Sequence, residues 1–196
     1  MAFVPRFSLA GITDTQTCPW YLTNGNWFYA NGYYYPAPNG NCTWYAYGRY
    51  AEVRNGFANL PLGNAGTWYD NATAFPRGDF SQGALPQLGA IVCFKSLSGT
   101  RPGHITVVEQ INSDGSIIVS QSGYQSPVTT NTHFWTARVY PSNQYRESWY
   151  TAGGRDYYCQ GFIYQDGVIP PVPPTPVPVR AKKMPLWFYL RRNLTK

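Results

Sequence analysis

The chain has 196 residues, of which 17% are aromatic and only 12% charged, with 17 Tyr, 19 Gly and 17 Pro. That length holds one domain with a core plus an appendage, and the composition excludes a helical bundle, a coiled coil and a disordered body, because 43% hydrophobic residues at low charge bury enough apolar surface to offset chain entropy. The net charge of +6 is local: six of the 15 basic residues (Arg180, Lys182, Lys183, Arg191, Arg192, Lys196) follow Val168, where there is no acid, and the other nine balance all nine Asp and Glu, so the body lacks the basic face of a nucleic-acid binder.

Residues 1–40, with the run CPWYLTNGNWFYANGYYYPAPNGN, show no sustained period and read as an aromatic surface segment and loop packed on the domain. The start has no long apolar stretch after basic residues, so a signal peptide is not expected, and no run approaches the ~20 apolar residues of a membrane span. At Asn41 the character changes. Asn is a favoured N-cap, and the apolar positions Cys42, Tyr45, Ala46, Tyr50 and Val53 have helical spacing, predicting a helix from Cys42 to near Asn55-Gly56. A short helix is expected around 64–74. After Pro86-Gln87 the period becomes two: strands are predicted at 89–95, 104–111 and 116–121, the last two joined by the turn Asn112-Ser113-Asp114-Gly115, with further strands at 134–140 and 158–164. Helix first and antiparallel sheet after is an α+β arrangement. Residues 168–180 (VIPPVPPTPVPV and Arg180) form an extended spacer, and 181–196 is a basic aromatic tail, either solvated or a docking peptide for virion proteins or an anionic surface.

A cysteine in the first turn of a helix meets unsatisfied backbone N–H groups and the positive end of the macrodipole, both of which favour thiolate. Cys42 is thus either a small residue that happens to open a helix or a nucleophile in need of a base. Of the two histidines, His133 sits in a Thr/Asn-rich loop, whereas His104 comes directly after Pro102-Gly103 at the start of a strand, its ring projected at the strand end. A helix-opening Cys and a strand-opening His about sixty residues later make a Cys–His layout. The four cysteines have no CxxC spacing, which excludes a zinc ribbon; Cys93 reads as a core thiol, while Cys18 and Cys159 are free to pair.

Five segments in order, Asn41-Cys42-Thr43-Trp44-Tyr45-Ala46-Tyr47-Gly48-Arg49, Leu60 to Trp68 (LPLGNAGTW), Pro86-Gln87-Leu88-Gly89-Ala90-Ile91, Gly103-His104-Ile105-Thr106-Val107-Val108-Glu109 and Asn112 to Ser120 (NSDGSIIVS), resemble the successive landmarks of the CHAP family, the cysteine, histidine-dependent amidohydrolases/peptidases of phage lysins, tail-associated lysins and bacterial wall hydrolases. The resemblance implies a papain-like catalytic domain over 41–167 that cleaves peptidoglycan amide bonds, as an N-acetylmuramoyl-L-alanine amidase or an endopeptidase, with Cys42 as nucleophile and His104 as base. It leaves the cleaved bond open, and it implies a phage product acting on the host wall from inside the cell or from the virion. Thiol chemistry of this kind requires no cofactor or metal, and although some members of the family bind calcium near the amino terminus, no DxDxDG-type ligand cluster is present and Asp14 alone does not make such a site.

Where many members of that family carry Ser-Glu-x-Asn, this chain reads Ser120-Gln121-Ser122-Gly123. A Gln121 carbonyl can still accept from the histidine ring and fix its tautomer without a negative charge. Loss of that orientation would leave a wall-binding or virion structural module instead of an enzyme. Glu109 lies on the opposite strand face from His104 by period-two geometry, which argues against contact. Asn41, Trp44 and Trp68 are expected at the substrate, the tryptophans alternatively as core, and Trp27 with Tyr33-Tyr34-Tyr35 either lines a groove for glycan strands or covers the N-terminal segment.

Overall fold

The computed structural model describes residues 3–12, 14–33, 41–74, 80–123, 134–139 and 157–165; His133, Tyr34, Tyr35, the spacer and the tail lie outside the described residues. A one-turn helix α1 (Trp27–Ala30) precedes the long helix α2 (Cys42–Arg54), and a 3-10 turn (Ala65–Thr67) leads directly into α3 (Trp68–Ala74). Six strands come after: β1 (Phe80–Gly83), β2 (Ile91–Ser96), β3 (His104–Ile111), β4 (Ile117–Ser122), β5 (Phe134–Val139) and β6 (Tyr157–Gln165). They form one antiparallel sheet in the order β1-β6-β2-β3-β4-β5, so the protein is α+β.

Local chemistry sets the ends of α2. The Asn41 side chain accepts from the Trp44 N–H at 2.9 Å, a cap that contributes about 1 kcal/mol. At the other end Asn55 takes the left-handed conformation at φ 58°, and Gly56 N–H closes on the Ala51 carbonyl. Every residue from Thr43 to Ala51 is buried, as expected of a helix covered on all sides. One side meets the sheet through Ile91, Cys93, Ile105, Val107 and Ile163; another meets Tyr21 and Phe28 of the N-terminal segment. That segment is therefore part of the core and not a surface covering, and the expected boundary at residue 41 does not divide the fold. Its aromatics alternate with Asn and Gly, and this hides the pattern from any period-based reading. A second core lies on the far face of the sheet, from Val92, Phe94, Val108, Ile117, Val119, Tyr157 and Phe162.

The turn at 112–115 closes as expected: Gly115 N–H donates to the Asn112 carbonyl, Asn112 N–H to the Ser116 carbonyl, and Gly115 holds φ 81°. In β3 the register against β4 slips between Val108 and Gln110, a bulge that leaves Glu109 without a ladder partner on β4, while Glu109 keeps the helix-facing side of the strand with Ile105 and Val107. The short strand β1 contains no β-branched residue and has no counterpart among the predicted strands; it is held at the sheet edge by pairing with β6.

Candidate active site

Both α2 and β3 begin at one cleft of about 460 Å³, lined by Asn41, Cys42 and Thr43 from the helix start, Gly63–Ala65 before the 3-10 turn, Arg101–His104 at the strand start, and aromatic residues including Trp27, Tyr33 and Tyr157. The loop into β3 is fixed by a close backbone approach. Gly66 N–H donates to the Pro102 carbonyl at 2.6 Å, and Gly103 has φ 81° with Gly66 and the Phe94 carbonyl where a Cβ would stand, so only glycine fits. His104 is thereby delivered to the end of the sheet. Because Ile105 and Val107 face α2, His104 faces the far side, where its ring stacks between Phe94 (6.4 Å) and Trp135 (6.2 Å, 10° between planes) and beside Tyr157.

Gln121, on the neighbouring strand β4, meets the ring at its inner nitrogen: His104 Nε2 and Gln121 Oε1 are 2.6 Å apart. With a carbonyl oxygen as partner, Nε2 carries the hydrogen and donates, which leaves Nδ1 as the basic nitrogen of the neutral ring. No carboxylate stands in for the amide among the described residues. Burial pushes the His104 pKa down to about 4, and the Gln121 hydrogen bond offsets this only in part. Glu109 is completely buried on the α2 side of β3 and turned away from the ring, as period-two geometry requires.

Cys42 is half-buried and carries a free thiol. Here the expected acidification is reversed. The backbone N–H groups of Ile105, Thr43 and Cys42 itself do lower the thiol pKa, but burial outweighs them and pushes it up to about 11. Burial therefore disfavours both the thiolate of Cys42 and the imidazolium of His104.

Of the other expected site residues, Asn41 lines the cleft while its side chain caps α2. Trp44 and Trp68 do not reach it. Trp44 is 1% exposed with its indole N–H on the Tyr21 carbonyl at 2.9 Å, and Trp68 is 0% exposed, stacked on Phe28 with its N–H toward the Gly63 carbonyl. Both lie on the inner face of their helices, which sequence spacing alone does not separate from the cleft face. Trp27 and Tyr33 do line the cleft, stacked on each other at 5.6 Å. The pairing open to Cys18 and Cys159 does not form: both are free, Cys18 beside Arg6 and Glu52 in the helix-side core and Cys159 on β6 opposite Phe94. Cys93 is fully buried. Three cleft residues carry no sequence signal, Phe28, Arg101 and Tyr157; of these, Arg101 alone stands close to the His104 motif.

The model of the CHAP domain family matches residues 16–123, more than half of the chain and including Cys42, His104 and Gln121. The chain belongs to the CHAP domain family. Its match starts 25 residues before the expected boundary at 41, in agreement with the shared core. An N-acetylmuramoyl-L-alanine amidase sle1 of Staphylococcus epidermidis is 33% identical over 122 residues, 59% of this chain and 35% of that protein. A probable autolysin LDP of Staphylococcus aureus is 40% identical over 85 residues, 43% of this chain and 28% of that protein. A crystal structure of an N-acetylmuramoyl-L-alanine amidase from Staphylococcus aureus aligns with a TM-score of 0.41 at 25% identity, over 63% of this chain and 31% of that one. The CHAP domain chain thus spans about a third or less of the length of these relatives.

Proposed function

We propose that this chain hydrolyses amide bonds in the peptides of bacterial peptidoglycan by a Cys–His mechanism, as an N-acetylmuramoyl-L-alanine amidase or an endopeptidase. The observation that carries the reading is the cleft itself: a free thiol at a helix start and a neutral, oriented imidazole at a strand start open onto one solvent-accessible groove. The naming of the relatives as amidases and autolysins supports the substrate class.

The chemistry starts from the neutral pair. As Cys42 Sγ attacks the substrate carbonyl carbon, its proton passes to His104 Nδ1, so charge develops only when substrate fills the cleft. The oxyanion meets backbone N–H groups at the start of α2. The Asn41 side chain occupies the Trp44 N–H and the Asn41 carbonyl the Tyr45 N–H, which leaves those of Cys42 and Thr43 for the reacting atoms. The imidazolium, made strongly acidic by burial, protonates the leaving amine as the C–N bond breaks and a thioester forms. His104 then takes a proton from water, hydroxide adds to the thioester, and the thiol departs with that proton. The sum is amide plus water giving acid plus amine. Gln121 holds the ring in the required tautomer through each step.

A phage origin, with action from the virion or from within the host, is the further part of this reading and rests on the family resemblance. The test of the chemistry is mass spectrometry of fragments released from defined peptidoglycan. Wild-type protein is expected to release new amine and carboxyl termini, with Cys42→Ala reducing the rate by about 10³-fold or more while unfolding at an unchanged temperature. Binding to the wall without fragment release by the wild type leaves a wall-binding module and removes the hydrolase.

A further inference from the structure

The cleft of this protein holds one charged side chain among its described lining residues, Arg101. Arg6 and Arg49 meet the carboxylates of Glu52 and Glu109, Lys95 meets Asp70, and Arg138 meets Asp114. Arg101 makes no hydrogen bond or ion pair with any described residue. It is exposed, but its backbone is not free to wander: Pro102 beside it accepts the 2.6 Å bond from Gly66, and Gly103 is locked against Gly66 by close approach. A cation without a counter-ion among the described residues is thus mounted on a rigid loop three residues before the proposed base. The rest of the described lining is apolar or neutral, with the stacked Trp27–Tyr33 pair reached across the 63–66 segment, which touches Phe28 through Trp68 and the 101–103 loop through Gly66.

We propose that Arg101 is a specificity residue that binds a carboxylate of the peptide stem beside the scissile bond, so that this enzyme prefers stems with a free acid over stems in which that acid is amidated. The inference rests on the hydrolase reading above. The physical case is one of matching. A planar guanidinium presents a fork of donors suited to two carboxylate oxygens, and an amide replaces one of those acceptors with a donor and removes the charge. In a cleft that otherwise offers neutral groups and aromatic faces, that single contact reads the ionisation state of the stem, while the aromatic pair supplies contact that is blind to charge.

Two synthetic muramoyl peptides, identical except that the residue after the first alanine carries a free carboxylate or its carboxamide, test the assignment on the full chain. Wild-type protein is expected to favour the acid form by about 10-fold in kcat/KM. Arg101→Gln should erase that preference by losing rate on the acid form alone, Arg101→Lys should retain part of it, and added salt should shrink it. Equal rates on both peptides with the wild type, or an equal loss on both with Arg101→Gln, overturn the proposal. If the wild type cleaves neither peptide, fragment release from whole peptidoglycan tests the hydrolase reading, and calorimetry with the same two peptides decides the Arg101 assignment separately: tighter binding of the acid form that Arg101→Gln abolishes upholds it, and equal or absent binding removes it.

Discussion

Helix α2 and strand β3 run side by side away from the cleft, and their two ends treat charge in opposite ways. At the cleft end stand Cys42, whose thiol pKa burial pushes up, and His104, whose imidazole pKa burial pushes down while its Nε2 meets the Gln121 amide. Further along, seven residues down the helix and five along the strand, Arg49 and Glu109 are both buried and form an ion pair. The guanidinium binds both carboxylate oxygens, at 2.9 Å and 2.8 Å. Around them Glu52 accepts from Arg49, Arg6 and Tyr21, Ser120 donates to Glu109 at 2.6 Å, and Tyr45 donates to Ser120 at 2.8 Å. Phe3 covers the Arg49 guanidinium and the Val4 carbonyl accepts from it. The difference is in partners, not in burial. Where a buried charge meets an opposite charge and its other donors and acceptors are matched, an ion pair stands in the low-dielectric interior; where an imidazole packed among aromatic rings meets a neutral amide, desolvation outweighs that hydrogen bond.

Removing one partner at the ionic end is the largest way to break this contrast. Glu109→Ala leaves Arg49 charged and unmatched in the core, and the protein should lose about 3–5 kcal/mol of stability, read by denaturant unfolding. A loss below about 1 kcal/mol would mean that the network is no more than a solvated surface pair.

The two ends also differ in how far they are legible. The Cys–His–Gln end is written in local signals: an N-cap before a cysteine, a Pro-Gly before a histidine, and a Gln at a fixed offset after an Asp-Gly turn. Each needs only its immediate neighbours, and β3 runs from His104 to Ile111 as the period predicts. The face of Glu109 follows from the strand period, but its pairing with Arg49, 60 positions away in sequence, gives no such signal, because it is set only when helix α2 packs on β3. The N-terminal segment escapes a local reading for a related reason. Tyr21 and Phe28 sit among polar and glycine-rich stretches, and their burial is decided by helix α2 packing over them. The charge states of Cys42 and His104 are likewise outside local reach, since desolvation is a property of the assembled interior.

A smaller effect sharpens the neutral end. The folded His104 pKa of about 4 lies below the ordinary histidine range, so the unfolded chain takes up a proton that the folded protein refuses. Stability from this group is full above about pH 6.5, falls as pH drops toward 4 and is level below that, for a total of about 3 kcal/mol. The slope between those limits should be larger for the wild type than for His104→Gln, and identical slopes would show that the ring is solvated. Gln121→Glu should then shift the acid limb of kcat/KM upward by about one pH unit, because a carboxylate at Nε2 favours the imidazolium. An unmoved limb would separate Gln121 from the base.

The smallest effect concerns Trp44, one turn into α2 between the two ends. Its indole fills the core against Tyr21 at 5.7 Å and donates to the Tyr21 carbonyl, so its work is to hold the N-terminal segment on the helix that carries both charge regimes. Trp44→Phe keeps much of the ring and removes the donor, leaving the Tyr21 carbonyl without that partner inside the core, at about 1 kcal/mol. Because the side chain never reaches the cleft, KM on wall peptides should be unchanged while the unfolding midpoint falls. A raised KM at unchanged stability would return Trp44 to the substrate and show that helix α2 presents a different face to the cleft than the one on which Asn41, Cys42 and Thr43 stand.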